Sequence, residues 1–592
     1  MSMLASLVRA YDRLPDAPPF GFSTEKIGFC VLLNADGSVA SVEDLRDYAG
    51  KRPAPRSIVV PATPKRSGST PRPNFLWDNI NYALGGGKLS DPADKRFDSF
   101  RDKHLEYLSD SNSPEVRAFC EFLKHWNVED VGRYFPPENL PTDGIVFAMS
   151  DTYREYFLHQ TVEMRNFWND NRSRWIAIEG KSSTPAACLV TGKMSPIART
   201  HPPIKGMSGA GGKSEMALIS FNDNAYESYG HEQGDNAPVS EAAAFAYTTV
   251  LNRFLDKDSG HRIQIGDAST VFWADCSDMK LAAEAEVFFA ALLDSVSEEK
   301  LVAEDERLET AKIHSRLDSI RNGQRLSQVA PELAEGVRFH VLGLAPNAAR
   351  LSVRFYWQDD FGRLTGNFQQ YLADMAIDPP PRDGWPPLWR YLLELASQGK
   401  RENVPPLIAG EWLRAILTGT AYPLTLLSTV LMRMRADGEI NALRCAMLKS
   451  VLIRNFHYKE TPVALDPTSR DTGYVLGRLF AVYENIQRAA LGKSVNATIR
   501  DKFYGSASAT PARVFGSLAA NAFNHLARIR KDKPAFAHYL QAELQEIANL
   551  LDVSKEPFPA SLSQEAQAKF ALGYYHQASF RKNDDKTPEV SQ

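Results

Sequence analysis

At 592 residues and 65.9 kDa, the chain is long enough for several domains with substantial cores. Its 43% hydrophobic and 24% charged content exclude a disordered or fibrous chain and match a soluble globular protein. A formal net charge of -4 excludes a uniformly basic nucleic-acid coat but leaves room for basic loops on a neutral body.

Taken in chain order, the first third is mixed. The opening "MSMLASLVRAYDRLP" is apolar-periodic but lacks the basic flank, long apolar run and small-residue cleavage site of a secretory signal. "IGFCVLLNADGSV" predicts a strand, a turn at Asn34–Gly37 and a return strand. "SIVVPAT" adds a strand, and "PKRSGSTPRPN", Pro64 to Asn74, predicts an exposed loop because it has little apolar surface to bury. "FLWDNINYALG" follows, then helical patterning with "PEVRAFCEFLKHW" as its clearest amphipathic example. "DGIVFAMS", "RWIAIEG", "AACLVTGK" and "ALISFN" all read as strand-like runs, and Ser150 reads as a helix N-cap. Ser240 to Phe254 predicts a capped helix, "VFW" a strand, and "RFHVLGLAPNAARLSVRFYWQD" two strands around a turn.

Composition changes at "DPPPRDGWPP", a proline-dense connector at 378–387. Beyond it the apolar residues fall at i, i+3, i+4 and i+7, the mark of a helical bundle. The best membrane candidate, "AILTGTAYPLTLLSTVLM", carries too many hydroxyls and predicts a core helix broken near Pro423. The expected fold class is an α+β N-terminal body of mixed strands and helices followed by an all-α C-terminal helical bundle. The expected divisions are 1–150, 151–377, the connector 378–387, and 388–592.

No catalytic or metal motif stands out. Cys30, Cys120, Cys188, Cys276 and Cys445 are scattered, which suits a reducing cytoplasm rather than a disulfide framework or zinc site. His201 and His231 read as hydrogen-bonding loop residues, since no partner carboxylate follows from spacing. "GAGGKS" is out of register for a phosphate loop, because Met207 stands where the first glycine is required. We therefore expect no catalytic residue, no cofactor and no metal.

Cations in flexible loops are the better lead. Lys65, Arg66 and Arg72, then Lys205 and Lys213 among glycines, have the chemistry to reach phosphates. Asn74, Asn222 and Asn224 have the amide chemistry to read base edges. In "NHLARIRKDKP" a second basic cluster gathers Arg528, Arg530, Lys531 and Lys533 at a helix end, where the macrodipole would favour it even without a ligand.

"CLVTGK" and the long run "HPPIKGMSGAGGKSEMALISFNDNAYESYGHEQGDNAPVSEAAAFAYTTVLNRFL" resemble the central block of the large subunit of the type I-C CRISPR Cascade complex. "FLWDNINYALG" and "GYVLGRLFAVYENIQ" resemble other stretches of that family in the same order. The resemblance implies a cytoplasmic, non-enzymatic subunit that recognises a protospacer-adjacent motif in duplex DNA and aids R-loop formation. It implies as partners the CRISPR RNA 5′ handle, target duplex DNA, the Cascade backbone and handle-binding subunits, a small subunit and a helicase-nuclease, with no membrane. It also implies that the helical tail resembles the small subunit, which an internal start would make separately. Here the matching stretch departs from that pattern: it holds no methionine, the nearest upstream being Met447, so an internal start would need a non-AUG codon at Val475 or Leu476, which leaves the idea open. The residues alone leave two other classes open: a cytoplasmic phosphate-binding hydrolase using Gly206–Ser214, and a protein-only scaffold.

Overall fold

The computed structural model describes residues 2–580 apart from 15–16, 49–52, 63–69, 87–94, 136–140, 153, 177–184, 208–215, 222, 266–267, 294–312, 314, 349, 383, 493–496, 553 and 555. The chain divides into two compact units, 1–204 with 217–252, and 205–216 with 253–592. Helices of nine residues or more are numbered in chain order.

In the first unit β1 (Phe22–Leu33) is the central strand. Along one edge it pairs antiparallel with β2 (Val39–Asp44) through its C-terminal half and with β3 (Arg56–Pro61) through its N-terminal half. Along the other edge it runs parallel to β5 (Gly144–Met149), which pairs antiparallel with the short β4 (Trp77–Asp78). Alternate residues of a strand point to opposite faces. Accordingly Phe29, Val31, Leu33, Ile145 and Phe147 enter an aromatic core, while Cys30, Leu32, Val60, Val146 and Ala148 fill a smaller one. A strand covered on both faces reads as one apolar run, which is why "IGFCVLL" shows little alternation.

The helices α2 (Arg96–Leu108), α3 (Pro114–His125) and α4 (Val162–Ile176) share the aromatic core of this sheet, and α1 (Met3–Tyr11) precedes it in the chain. The start of α3 is encoded locally, by Ser113 accepting from the Val116 N–H and by Pro114 in the first turn. The hairpin β6 (Pro185–Ala187) and β7 (Met194–Pro196) precedes α5 (Glu241–Phe254), which Ser240 caps by accepting from Ala243. The chain passes to the second unit within α5.

Four local expectations fail here. "AACLVTGK" is strand only at Ala186 and Ala187 and then turns at 189–191. Arg174–Ile176 of "RWIAIEG" is the last turn of α4 rather than a strand, and its remaining residues lie outside those described. "ALISFN" has a bridge position at Ala217 followed by a bend at 218–219 and forms no strand over its described residues 217–221. Ser150 caps no helix. Its N–H extends the β1–β5 pairing to Leu33 O at 2.9 Å, and its hydroxyl reaches Asn34 Oδ1 at 3.3 Å.

The second unit begins with an antiparallel meander of β8 (Arg262–Ile265), β9 (Ala268–Asp275), β10 (Arg338–Asn347) and β11 (Arg350–Asp360), backed by α6 (Met279–Leu293). Helices then follow: α7 (Phe361–Met375), α8 (Pro406–Thr418), α9 (Leu424–Asp437), α10 (Ala442–Phe456), α11 (Thr472–Leu491), α12 (Ile499–Ala509), α13 (Pro511–Asp532), α14 (Pro534–Ala548) and α15 (Gln564–Ser579). The candidate membrane run is α8 and α9, separated by Gly419 at φ 68° and by Pro423. Among the described residues no helix is long and apolar enough to cross a membrane. One hydrophobic core extends from Ile265 to Tyr575, so the proline-dense segment 378–387 lies inside the second unit. There Tyr575 of α15 donates to Pro379 O at 2.6 Å.

The tightest contact in this unit joins α11 to α15. A Cβ built on Gly477 would lie 2.0 Å from Phe570 O, and one on Gly573 would lie 2.0 Å from Tyr474 O. One on Gly473 would lie 2.5 Å from Ala566 O. The glycine spacing therefore lets two backbones touch, as small-xxx-small pairs do at close helix crossings. Two polar pairs span this crossing: Tyr474 Oη meets His576 Nδ1 at 2.9 Å, and Arg478 Nε donates to Gln577 Oε1 at 2.9 Å. Gly477→Ala is expected to destabilise the protein by about 1–3 kcal/mol through overpacking against backbone. Gly516→Ala, in open space on α13, is expected to stabilise it by up to about 1 kcal/mol. Thermal denaturation of both variants beside the parent checks the pair.

Candidate nucleic-acid interface

The first candidate is the segment from Pro64 to Asn74. Lys65 and Arg66 lie outside the described residues, so the structure bears on the stems that carry them. Both stems are held by hydrogen bonds to residues elsewhere in the chain. Ala62 N–H reaches Gly21 O at 2.8 Å, and the Trp77 indole donates to Pro61 O at 2.8 Å. On the return side the Trp175 indole donates to Pro73 O at 3.2 Å, and Arg72 N–H reaches Tyr82 Oη at 3.3 Å. Indoles suit this task because they bury a large apolar body while offering one donor.

Arg72 is half-buried, and its charge helps depress the pKa of Lys103, whose larger cause is burial. The Lys103 ammonium in turn lies 5.0 Å from the centre of the Trp175 ring. Asn74 corrects the sequence expectation. It is only 7% exposed, with its N–H bonded to Asp78 Oδ2 at 2.9 Å, so it supports the loop and presents no amide to a base edge. The cause is its neighbour Phe75, which stacks on His104, Phe167 and Trp168 and meets Trp175 edge-on.

His104 fixes the turn after Asn74. Its Nδ1 lies 2.7 Å from Phe100 O and its Nε2 lies 2.9 Å from the Leu76 N–H. The Nδ1 must therefore donate and the Nε2 accept, which requires the neutral ring. Burial pulls its pKa down to about 3. This bond holds Leu76 at φ 61°, in the left-handed region that a leucine enters only under constraint.

The second candidate, "GMSGAGGKS", has its entry described and its glycines at 209–212, with Lys213, outside the described residues. Lys205 is exposed and makes interactions of its own. Gly206, at φ 84°, accepts at its carbonyl from Arg262 Nη1 at 3.0 Å. Met207 is buried, so the position where a phosphate loop needs a glycine is an apolar anchor. Asn222 lies outside the described residues. Asn224 is exposed, but it sits in an acidic turn with Asp223 and Glu227.

The third candidate is the corner between α13 and α14. Arg528, Arg530, Lys531 and Lys533 are all exposed there, and Arg530 Nη2 spans the corner to Gln541 Oε1 at 2.6 Å. Lys533 joins the helices, and Pro534 opens α14 at its first turn. Near these cations in sequence, Phe523, Phe536 and Tyr539 are exposed on the same two helices, with the last two rings parallel within 8° at 6.4 Å and with Glu543 and Glu546 as charged neighbours of Tyr539. Reading the sequence for charge missed these aromatics. Their signal is spacing: Ala537, Leu540, Leu544 and Ile547 form the buried stripe of α14, and Phe536 and Tyr539 lie off it. Exposed rings are what a single strand of nucleic acid stacks on.

His201 Nδ1 meets Tyr247 Oη at 2.6 Å, and burial pulls its pKa to about 4, as befits a structural histidine. Exposed His231 closes a turn with Ser228. Among the described residues no group of three His, Cys, Asp or Glu side chains converges to hold a metal.

The depressed pKa of His104 gives a pH prediction. A ring neutral in the fold and protonatable in the unfolded chain stabilises fully above about 6.5, and that contribution is lost progressively as pH falls towards about 3. His104→Gln is therefore expected to lower stability at pH 7 and to flatten its decline between pH 6.5 and 4. Denaturation midpoints across that range measure it.

Among the described residues the geometry thus offers one exposed cationic surface, the α13–α14 corner, together with fixed stems on either side of the segment whose sequence carries Lys65 and Arg66. Curated proteins give no match to the chain. The family described as CRISPR-associated protein (Cas_Csd1) matches residues 7–581. With nearly its whole length covered, the chain belongs to this family, the large subunits of type I-C CRISPR effector complexes.

Proposed function

We propose that this Cascade subunit recognises a short motif beside the target in duplex DNA, aids opening of the duplex and guides the strand displaced from it, without itself breaking a bond. Base pairing with the guide RNA then reads the long sequence, while protein reads the flanking motif and the backbone. In this reading the Pro64–Asn74 loop approaches the duplex with Lys65, Arg66 and Arg72, and Lys205 and Lys213 meet phosphates. The α13–α14 corner holds single-stranded nucleic acid. The partners are the 5′ handle of the CRISPR RNA, the backbone and handle-binding subunits, the small subunit and a helicase-nuclease, all in the cytoplasm.

The observation that carries the reading is the exposed set Arg528, Arg530, Lys531 and Lys533, with Phe523, Phe536 and Tyr539 exposed on the same two helices, in a chain of this family. Two kinds of variant separate its parts. Replacing the four cations by alanine is expected to weaken DNA binding by the assembled complex and to reduce the salt slope by about 0.7 for each single-strand phosphate that is no longer neutralised. Phe536→Ala with Tyr539→Ala is expected to cost about 1–3 kcal/mol per base unstacked while leaving that slope unchanged. Unaltered affinity in both would remove the corner from the pathway. Lys65→Ala with Arg66→Ala is expected to narrow the difference in affinity between duplexes with and without the motif, measured by electrophoretic shift. An undiminished difference would show that the loop is not the reader.

A further inference from the structure

Among the described residues, a different surface of the first unit carries more carboxylates than cations and four large exposed apolar side chains. Leu189 and Met194 flank the turn between β6 and β7, and Tyr226 and Tyr229 stand on the segment 223–236. Backbone bonds fix the two pieces to one base. Leu189 N–H reaches Pro238 O at 2.8 Å, Ala198 N–H reaches Val239 O at 2.9 Å, and Gly234 N–H reaches Arg199 O at 3.0 Å. The last approach is so close that a Cβ on Gly234 would fall 1.9 Å from Ala198 O. These are projections from a braced platform, not loose ends.

Tyr229 is the extreme case. Its side chain is 99% exposed, at the tip of a two-residue turn in which His231 N–H reaches Ser228 O at 2.9 Å. Both central residues have positive φ, 54° at Tyr229 and 77° at Gly230. That is the signature of a turn that ordinarily takes Asn-Gly, and an aromatic residue adopts it at a cost. The choice brings the fold no return, since the ring packs on nothing among the described residues. Strain that the fold does not use points outward.

The charge of the rim selects the occupant. Asp223, Glu227, Glu232 and Asp235 are all exposed around the turn. Of the nearby cations, Lys193 is exposed, and Arg199 is engaged by Gln233 Oε1 at 3.0 Å with the Glu232 carboxylate at 3.8 Å. An acidic rim repels a phosphate backbone and attracts a basic protein surface. We infer that this platform is a protein-docking knob: Tyr229 inserts into an apolar pocket on another protein of the effector system, and the surrounding carboxylates meet a cationic rim on that partner. A tyrosine suits an anchor because it brings large contact area with few rotatable bonds.

The turn itself supplies the test. Tyr229→Asn installs the residue pair the backbone prefers, so the variant should fold at least as well as the parent by thermal midpoint. Association with each remaining purified subunit and with the helicase-nuclease, measured singly, should show one partner whose affinity falls about tenfold or more. Glu227→Lys with Glu232→Lys should weaken the same association and reduce its salt dependence, while DNA affinity of the assembled complex holds. A photo-crosslinking amino acid at position 229 should form its adduct with that protein. An adduct with RNA or DNA alone, no adduct in any assembly, or parental affinity of Tyr229→Asn for every component would overturn the inference.

Discussion

Two helix backbones in direct contact set the frame of the C-terminal half. Gly473, Gly477 and Gly573 remove the side chains that would otherwise hold α11 and α15 apart, and each glycine faces a carbonyl of the opposite helix. At that separation little remains adjustable, since a packed interior tolerates neither a void nor an added methylene without loss. Arg478, Tyr474 and His576 are buried alongside, and hydrogen bonds to Gln577 and between Tyr474 Oη and His576 Nδ1 offset part of the cost of burying them. The crossing thus dictates which polar groups its neighbours must supply.

The same demand for satisfied buried polar groups shapes the first unit. The stems of the basic loop have carbonyls and N–H groups under an aromatic layer, and they are met by two indoles, a phenol and an imidazole from residues far apart in the chain. The consequence is a fixed pair of loop ends on a rigid base. Stems fixed in this way leave fewer backbone torsions to be ordered when the segment between them makes a contact.

Local signals are legible wherever they are self-contained. The β1–β2 hairpin, the Ser113 and Ser240 caps, the β10–β11 hairpin and the apolar stripes of the bundle all follow from spacing and turn chemistry. "RWIAIEG" misleads because a short apolar run with a tryptophan suits a buried helical turn as well as a strand, and Trp175 is buried in the aromatic core. For the candidate site, cation positions are readable but exposure is not. Asn74 reads as a loop residue because nothing near it in sequence reveals Trp168 and Trp175, about a hundred positions on, packed around Phe75. Phe536 and Tyr539 can be found by asking which aromatics break the period of α14. Tyr229 cannot, because its left-handed backbone depends on contacts made by the flanking chain.

The way α15 is covered bears on any polypeptide made from the tail alone. Its apolar side lies on α11 and also on α10, where Cys445 Sγ sits 3.9 Å from Ala571 O. A product begun at Val475 would contain α15 but lack α10, Gly473 and the Asp471 cap of α11. Its final helix would then show an oily flank to water, so release as a lone monomer is disfavoured, whereas pairing with a twin or a neighbouring subunit would hide that flank again.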